Sequence, residues 1–261
     1  MSTYKPLAEK LRPSDLNDFI GQRHLLDSDK PIGKALSDKQ LHSMILWGPS
    51  GVGKTTLARI ICAQMGAHFE QMSAVLDGIK ELRNVIKHAE LYKQNDTSTI
   101  LFVDEIHRFN KAQQDAFLPH IESGLITLIG ATTENPSFEI NSSVLSRARV
   151  YILNKLSSKE LESIAVRAMT DQAITLENDG SLSLIIDSSD GDARRLINII
   201  EQLTHKSNHA LSKKDIVKTL QSKVSSFDKG GDIYYEQLSA FHKSVRGSSP
   251  DGALYWMARM I

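Results

Sequence analysis

A glycine-rich octapeptide carries the strongest chemical signal in the sequence. It reads Gly48-Pro49-Ser50-Gly51-Val52-Gly53-Lys54-Thr55 and is followed by Thr56. Glycines at these spacings let backbone N–H groups fold inward around phosphate oxygens, and the helix that follows points its positive end at the anion. Lys54 adds a charge for the β- and γ-phosphates, and the Thr55 hydroxyl is suited to Mg²⁺. The sequence therefore predicts that residues 48–56 bind ATP with Mg²⁺.

Two adjacent acids form the second signal. Asp104 and Glu105 directly follow the apolar run 100–103, which is typical of a buried parallel strand. Because ligands bind at the carboxyl ends of such strands, we expect Asp104 to hold Mg²⁺, directly or through water. Glu105 is predicted to polarise the water that attacks the γ-phosphate. His107 and Arg108 are interpreted as a surface turn and receive no role.

Further polar and basic residues could complete the chemistry of phosphoryl transfer. Thr133, at the end of a predicted strand over 125–133, is expected to contact the water or the γ-phosphate, with Thr132 as the alternative. Arginines occur in Ser146-Arg147-Ala148-Arg149 and in the pair Arg194-Arg195. Since a transferring phosphoryl group needs distributed positive charge, we expect one arginine from the same chain and one from a neighbouring subunit.

The elements that position these residues follow from hydrophobic periodicity. Short apolar runs alternate with helical patterns, which predicts an α/β fold with a parallel sheet flanked by helices. The predicted strands are 43–47, 68–72, 99–103, 126–132 and 150–153. The predicted helices between them are 54–65, 79–92 and 111–122, and Pro119 leaves the end of the last one open.

The rest of the chain is expected to be helical. After about residue 157 the patterns predict helices at 157–169, 179–187, 192–205 and 212–221, then a linker at 227–231 and helical runs at 232–245 and 251–261. We therefore predict three parts: a nucleotide-binding α/β domain over 1–156, a helical lid over 157–224, and the truncated beginning of a further helical domain over 225–261.

Composition limits the possible partners and compartments. The 261 residues carry 31 basic and 31 acidic side chains, so the formal net charge of zero excludes a globally basic nucleic-acid coat. The single cysteine, Cys62, excludes a disulfide scaffold. Neither a bilayer-spanning apolar run nor the apolar core of a signal peptide is present, so we expect a cytoplasmic protein without a membrane partner.

The order of the motifs is similar to that of a known family. The chain resembles AAA+ ATPases of the clamp-loader branch and, more narrowly, the replication-associated recombination proteins, which include the Werner-helicase-interacting protein of eukaryotes. The resemblance covers essentially the whole chain and rests on the stretches LAEKLRPSDLNDFIGQRHLL, GPSGVGKTTLA, FVDEIHRFNKAQQDAFLPHIESG, LIGATTENPSFEIN, LSRARVY, GDARRLINIIE and VRGSSPDGALYWMARMI.

This resemblance implies further residue roles. Arg12, Pro13, Ile20 and Gly21 would line the adenine pocket. Thr133 would be the first sensor of the nucleotide, and Arg194 the second, reaching back from the lid. Arg147 would act in trans on the ATP of a neighbouring subunit, with Arg149 as its competitor.

The resemblance also implies a biological setting. The expected function is a DNA-dependent ATPase that acts at stalled or damaged replication forks, on junctions of single- and double-stranded DNA. Implied partners are single-stranded-DNA-binding protein, replisome components and further copies of the chain, with a tetramer for the full-length protein. The implied location is the nucleoid of the cytoplasm. Two other classes remain open: a P-loop kinase of small molecules, and a non-catalytic scaffold ordered by ATP.

Overall fold

A five-stranded parallel sheet forms the centre of the structure, a computed structural model that describes residues 4–204, 210–227 and 232–260. The strand order is β2-β3-β4-β1-β5. All five predicted strands are confirmed to within one residue at either end. Their bounds are β1 Met44–Trp47, β2 His68–Ser73, β3 Thr99–Asp104, β4 Ile126–Thr132 and β5 Arg149–Ile152.

The register of the sheet fixes which strand ends meet. Strand β4 lies between β1 and β3, pairing Thr132 with Trp47 on one side and Gly130 with Val103 on the other. Because all of these strands are parallel, the loop after β1 and the two acids at the end of β3 emerge at the same edge, on either side of the end of β4.

Helices cover both faces of this sheet, because apolar side chains of the central strands point alternately to one face and to the other. In β3, Ile100 and Phe102 face one apolar core and Leu101 and Val103 face the other. The flanking helices are α1 Leu7–Lys10, α2 Arg23–Leu26, α3 Pro31–Ser37, α4 Lys54–Met65, α5 Ile79–Lys93, α6 Lys111–Asp115, α7 Leu118–Glu122, α8 Pro136–Glu139 and α9 Ser142–Leu145, with a short 3₁₀ helix at Ile106–Arg108.

The predicted single helix over 111–122 is wrong. The chain forms two short helices, α6 and α7, separated at 116–117. Pro119 is the cause, because its ring would clash with the carbonyl group four residues earlier, at Asp115, where α6 ends. Asn110 starts α6 by accepting a hydrogen bond from the backbone N–H of Gln113.

The next helices are α10 Ser158–Asp171, α11 Ser181–Ser189 and α12 Ala193–Leu203. The predicted start of α10 is confirmed: Ser157 is its N-cap, and the Glu160 carboxylate accepts the Ser157 N–H at 2.7 Å. Helix α11 begins two residues later than predicted. The Asp179 carboxylate accepts the N–H of Ser181, the first residue of the helix, so Asp179 lies outside the helix instead of starting it.

The contacts divide the chain into two compact units, and this division differs from the three predicted domains. Residues 1–174 and 182–204 form the first unit, and residues 175–181 and 205–261 form the second. The helices α10 and α12 of the predicted lid thus belong to the same unit as the sheet. The predicted helix end His205, linker positions 228–231 and the last residue, Ile261, lie outside the described residues.

The second unit contains α13 Lys213–Phe227, α14 Asp232–Arg246 and α15 Pro250–Met260. An isolated parallel bridge joins Leu176 to Leu211, and Asp179 accepts the N–H of Lys213 at 2.7 Å. Helices α14 and α15 pack on each other. Within the described ranges, no helix is long and apolar enough to cross a membrane.

Candidate nucleotide-binding site

A cavity of about 450 Å³ opens at the carboxyl edge of the sheet, wholly within the first unit. Four parts of the chain form its wall: the segment before α2, the glycine-rich loop, the two acids at the end of β3, and helices α10 and α12. Thirteen residues predicted to bind nucleotide or metal, or to act in catalysis, line it: Arg12, Pro13, Ile20, Ser50, Gly51, Val52, Gly53, Lys54, Thr55, Thr56, Asp104, Glu105 and Arg194.

The glycine-rich loop adopts a shape that other residues could not. Gly51 and Gly53 have φ values of 65° and 97°, which side chains disfavour. A Cβ atom at Gly51 would lie 1.7 Å from a carboxylate oxygen of Asp192, and one at Gly53 would lie 2.8 Å from the ring of Phe19. Gly48 and Pro49 do not line the cavity, but both hold the loop in place through their backbones.

Lys54 is anchored inside the loop. Its ammonium group donates hydrogen bonds to the carbonyl oxygens of Gly48 at 2.7 Å and Pro49 at 2.8 Å. Burial lowers the pKa of Lys54 from its ordinary value, while the nearby carboxylates of Glu105 and Asp104 oppose that change. The loop therefore holds its one cation where helix α4 begins and where phosphate oxygens would approach.

The donor set fits Mg²⁺. Thr55 lies in the first turn of α4, and Asp104 is the last residue of β3; both side chains line the cavity. A hydroxyl and a carboxylate are the oxygen ligands that Mg²⁺ prefers, and in nucleotide sites this ion takes its remaining ligands from phosphates and water.

Glu105 occupies a strained position beside Asp104. Its backbone is left-handed, with φ 51° and ψ 45°, a conformation that costs a non-glycine residue about 1–3 kcal/mol. One carboxylate oxygen, Oε2, is buried without a hydrogen-bond partner. Such strain and incomplete pairing are typical of a residue kept for chemistry rather than for stability.

The structure places Thr132 and Thr133 in different surroundings. Strand β4 ends at Thr132, which is fully buried, so the predicted strand over 125–133 is one residue too long at each end. Thr133 is exposed and does not line the cavity. His107, interpreted from the sequence as part of a surface turn, has a side chain that is only 8% exposed and that contacts Thr132 and Glu105.

Helix α12 begins against the glycine-rich loop. The Asp192 carboxylate caps the helix by accepting the N–H of Arg195 at 2.8 Å, and it also accepts the Ser50 hydroxyl at 2.6 Å. The N–H of Ala193 donates to the carbonyl oxygen of Gly51 at 3.1 Å. This double attachment brings the exposed side chain of Arg194 to the cavity wall.

The segment before α2 forms another wall of the cavity. Arg12 donates to the Thr56 hydroxyl at 3.0 Å and to Glu9 at 2.9 Å. Gly21 does not line the cavity; its φ of 92° lets the chain pass Leu156, whose side chain a Cβ atom would meet at 2.6 Å. Sequence reasoning missed several lining residues, which no local motif marks: Pro6, Ala8, Ile164, Arg167, Ile197 and Asn198.

Arg147 and Arg149 lie away from this cavity. The Nε of Arg147 donates to Glu122 at 2.6 Å, and Nη1 donates to the carbonyl oxygen of Ser143 and the hydroxyl of Ser146. Arg149 is an exposed residue of the edge strand β5. Neither arginine reaches the nucleotide cavity of its own chain.

Fold and site together define a P-loop nucleotide-binding unit of the AAA+ class. Residues 11–148 match the family described as the Holliday junction DNA helicase RuvB P-loop domain, and residues 170–246 match the family described as the AAA C-terminal domain. A solved structure, the RuvB Holliday junction branch migration motor of Thermotoga maritima, is 29% identical and has a TM-score of 0.66. That likeness covers 81% of this chain and 72% of the RuvB chain.

Curated relatives narrow the class. Replication-associated recombination protein A of Escherichia coli K12 is 50% identical over 273 residues, covering 100% of this chain and 61% of that protein. The ATPase WRNIP1 of Dictyostelium discoideum is 42% identical, covering 99% of this chain and 32% of that protein. The chain belongs to the family described as the Holliday junction DNA helicase RuvB P-loop domain, whose match covers more than half of its residues. It is similar to the bacterial replication-associated recombination protein A chains and spans about 60% of their length.

The attachment of α12 to the loop predicts a stability effect. We expect Asp192→Ala to lower the free energy of unfolding by about 1 kcal/mol, because the helix loses its N-cap and Ser50 loses its acceptor. Asp192→Asn, which retains a capping oxygen, should lose less than half of that amount. The measurement is urea denaturation followed by circular dichroism.

Asp187→Ala, an exposed change in α11, is the control and should alter the free energy of unfolding by less than about 0.5 kcal/mol. Equal effects of Asp192→Ala and Asp187→Ala would show that the observed contacts of Asp192 do not stabilise the fold.

Proposed function

We propose that this chain binds and hydrolyses ATP with the help of Mg²⁺. The observation that carries the proposal is one cavity lined by the glycine-rich loop, both acids and Arg194. The loop amides and Lys54 bind the β- and γ-phosphates, and Thr55 and Asp104 hold the metal ion. When bound, Mg²⁺ would act as a Lewis acid that neutralises the charge of the phosphates.

In the proposed reaction, Glu105 accepts a proton from water as the water oxygen attacks the γ-phosphorus and the bond to the ADP oxygen breaks. Thr133 acts as the first sensor of the γ-phosphate, with Thr132 as the alternative. Arg194 acts as the second sensor from α12, a role that its place on the cavity wall supports. Arg12, Pro13 and Ile20 surround the adenine, and Gly21 shapes the turn behind them.

The names of the relatives support a proposal for the biological role. These names associate them with replication and recombination. We propose that the protein acts as a DNA-dependent ATPase at stalled or damaged forks, on single-strand/double-strand junctions, in the nucleoid of the cytoplasm. Single-stranded-DNA-binding protein and replisome components are the proposed partners, and the proposed assembly of the full-length protein is a tetramer.

The proposed division of labour along the chain follows the three segments expected from the sequence. Residues 1–156 carry the nucleotide, residues 157–224 form a lid, and residues 225–261 begin a helical domain for oligomerisation. Helices α10 and α12 lie in the same compact unit as the sheet, and α12 contacts α1, which supports a lid that is closely joined to the nucleotide-binding part.

Replacement of the proposed base tests hydrolysis directly. Glu105→Gln should lower the turnover number by about 10²–10⁴-fold, because the amide cannot accept the proton, while ATP affinity stays unchanged. We would measure phosphate release with no DNA, duplex DNA and forked DNA, and ATP affinity by calorimetry. Wild-type turnover should be highest with forked DNA.

The controls separate the alternatives. Lys54→Ala should lose ATP binding itself, which distinguishes it from Glu105→Gln. Equal turnover in the wild type and Glu105→Gln would remove Glu105 from the mechanism. Transfer of phosphate to a small-molecule acceptor instead of water would indicate a kinase, and binding without hydrolysis under all conditions would indicate a scaffold.

The proposed trans role of Arg147 makes a second prediction. In an assembled oligomer, Arg147→Ala should lower turnover by up to about 10³–10⁵-fold, because each active site loses the arginine of its neighbour. The same change should have no effect on residual hydrolysis by dilute, monomeric chains, since Arg147 lies away from its own cavity. Turnover measured as a function of protein concentration distinguishes the effect in oligomers from the effect in monomers.

Arg149→Ala provides the matched variant. A larger loss in Arg149→Ala than in Arg147→Ala would assign the trans role to Arg149. An equal loss in monomers and oligomers of Arg147→Ala would contradict a role in trans.

A further inference from the structure

A buried histidine stands beside the proposed base. Glu105 reverses the chain through its left-handed backbone, and the 3₁₀ helix that follows carries His107 back toward the sheet. The intervening Ile106 is fully buried, and its side chain packs so closely over Gly130 that a Cβ atom there would meet it at 3.0 Å. This packing restricts the directions in which His107 can point.

The imidazole of His107 lies between a hydroxyl group and a carboxylate. Its Nδ1 is 2.9 Å from Thr132 Oγ1 and 3.3 Å from Glu105 Oε2. That carboxylate oxygen is the buried one without a hydrogen-bond partner. A single nitrogen therefore faces both the end of β4 and the proposed base.

The surrounding hydrogen bonds indicate where the proton on the imidazole lies. Thr132 Oγ1 accepts the N–H of Glu134 at 3.0 Å, and its own hydrogen is within reach of the Glu134 carbonyl oxygen at 3.2 Å. If Nδ1 carried no proton, its lone pair would face the Glu105 carboxylate. If Nδ1 is protonated, its N–H donates to Thr132 Oγ1 and presents positive charge to Glu105 Oε2, and the Thr132 hydroxyl hydrogen still has the Glu134 carbonyl oxygen as its acceptor. The geometry thus favours the tautomer protonated at Nδ1.

We propose that His107 is a positioning residue for Glu105, coupling the base to the buried end of β4 through Thr132. This inference rests on the proposed hydrolysis of ATP. The Nδ1–H group, 3.3 Å from Oε2, attracts that oxygen electrostatically, which leaves the other carboxylate oxygen for the attacking water. Thr132 in turn orients the imidazole. Through this contact, strand β4 determines the direction in which the Glu105 carboxylate points.

The main test uses three substitutions at one position. His107→Ala should lower kcat about 10- to 100-fold, a part of what a positioned base contributes, with ATP affinity and KM changed less than about twofold. His107→Asn should retain most of the wild-type kcat, because its amide nitrogen lies as many bonds from the backbone as Nδ1 does. His107→Gln, whose amide is one bond further out, should not.

Coupling to Thr132 is tested by a double-mutant cycle. Thr132→Val, which removes only the hydroxyl, should lower kcat in the same direction as His107→Ala. The double variant should be no slower than His107→Ala alone, since both changes break one chain of contacts. Multiplicative losses in kcat would overturn the coupling.

Nitrogen-15 NMR of the histidine rings gives a readout that does not depend on activity. The wild type should show His107 protonated at Nδ1, and the Nδ1 resonance should shift in Glu105→Gln. A ring protonated only at Nε2 would overturn the inference, as would a kcat of His107→Ala within about twofold of the wild type. His88→Ala, an exposed histidine on α5, is the control and should leave kcat unchanged.

The two proposals fail in different ways. If the wild type releases no phosphate under any condition, the proposed hydrolysis fails, and the NMR measurement still decides the arrangement of His107. If the wild type hydrolyses ATP, Glu105→Gln is slow, and His107→Ala, His107→Asn and His107→Gln all match the wild type, only the role of His107 fails.

Discussion

The nucleotide cavity depends on the position of β4 between β1 and β3. Parallel pairing brings three strand ends to one edge, where β1 leads into the phosphate loop and β3 leads into the acids. Thr132 connects the two sides: its backbone oxygen accepts the N–H of Gly48 at 3.2 Å, and its hydroxyl contacts His107. Any change in the register of β4 would therefore move loop and acids relative to each other.

Local backbone conformations at this edge are unusual because the site requires them. Gly51 and Gly53 take positive φ values so that the loop can turn its amides inward under helix α4. Glu105 adopts a left-handed conformation without being glycine, and the buried Ile106 that follows holds it there. Such strain persists only where packing over-determines the backbone, and here it aims the acid at the cavity.

Much of this arrangement could be predicted from the sequence, since its signals are local. The apolar runs of β1 and β3 and the spacing of glycines before Lys54 sufficed to place phosphate loop and acids at one edge. His107 was misjudged because two polar residues after a strand resemble a surface turn, and only the tertiary fold buries the ring. The Ser50–Asp192 contact joins residues 142 positions apart, which no local pattern can reveal.

In the proposed mechanism, triphosphate and metal lie between the phosphate loop and the two acids at the end of β3. A crystal structure with a nonhydrolysable ATP analogue and Mn²⁺ in place of Mg²⁺ tests it most directly. We expect an anomalous peak for the metal beside the Thr55 hydroxyl and the Asp104 carboxylate, with the γ-phosphate between Lys54 and Glu105. A nucleotide bound elsewhere, or acids turned away from a metal that is present, would exclude this placement of the triphosphate.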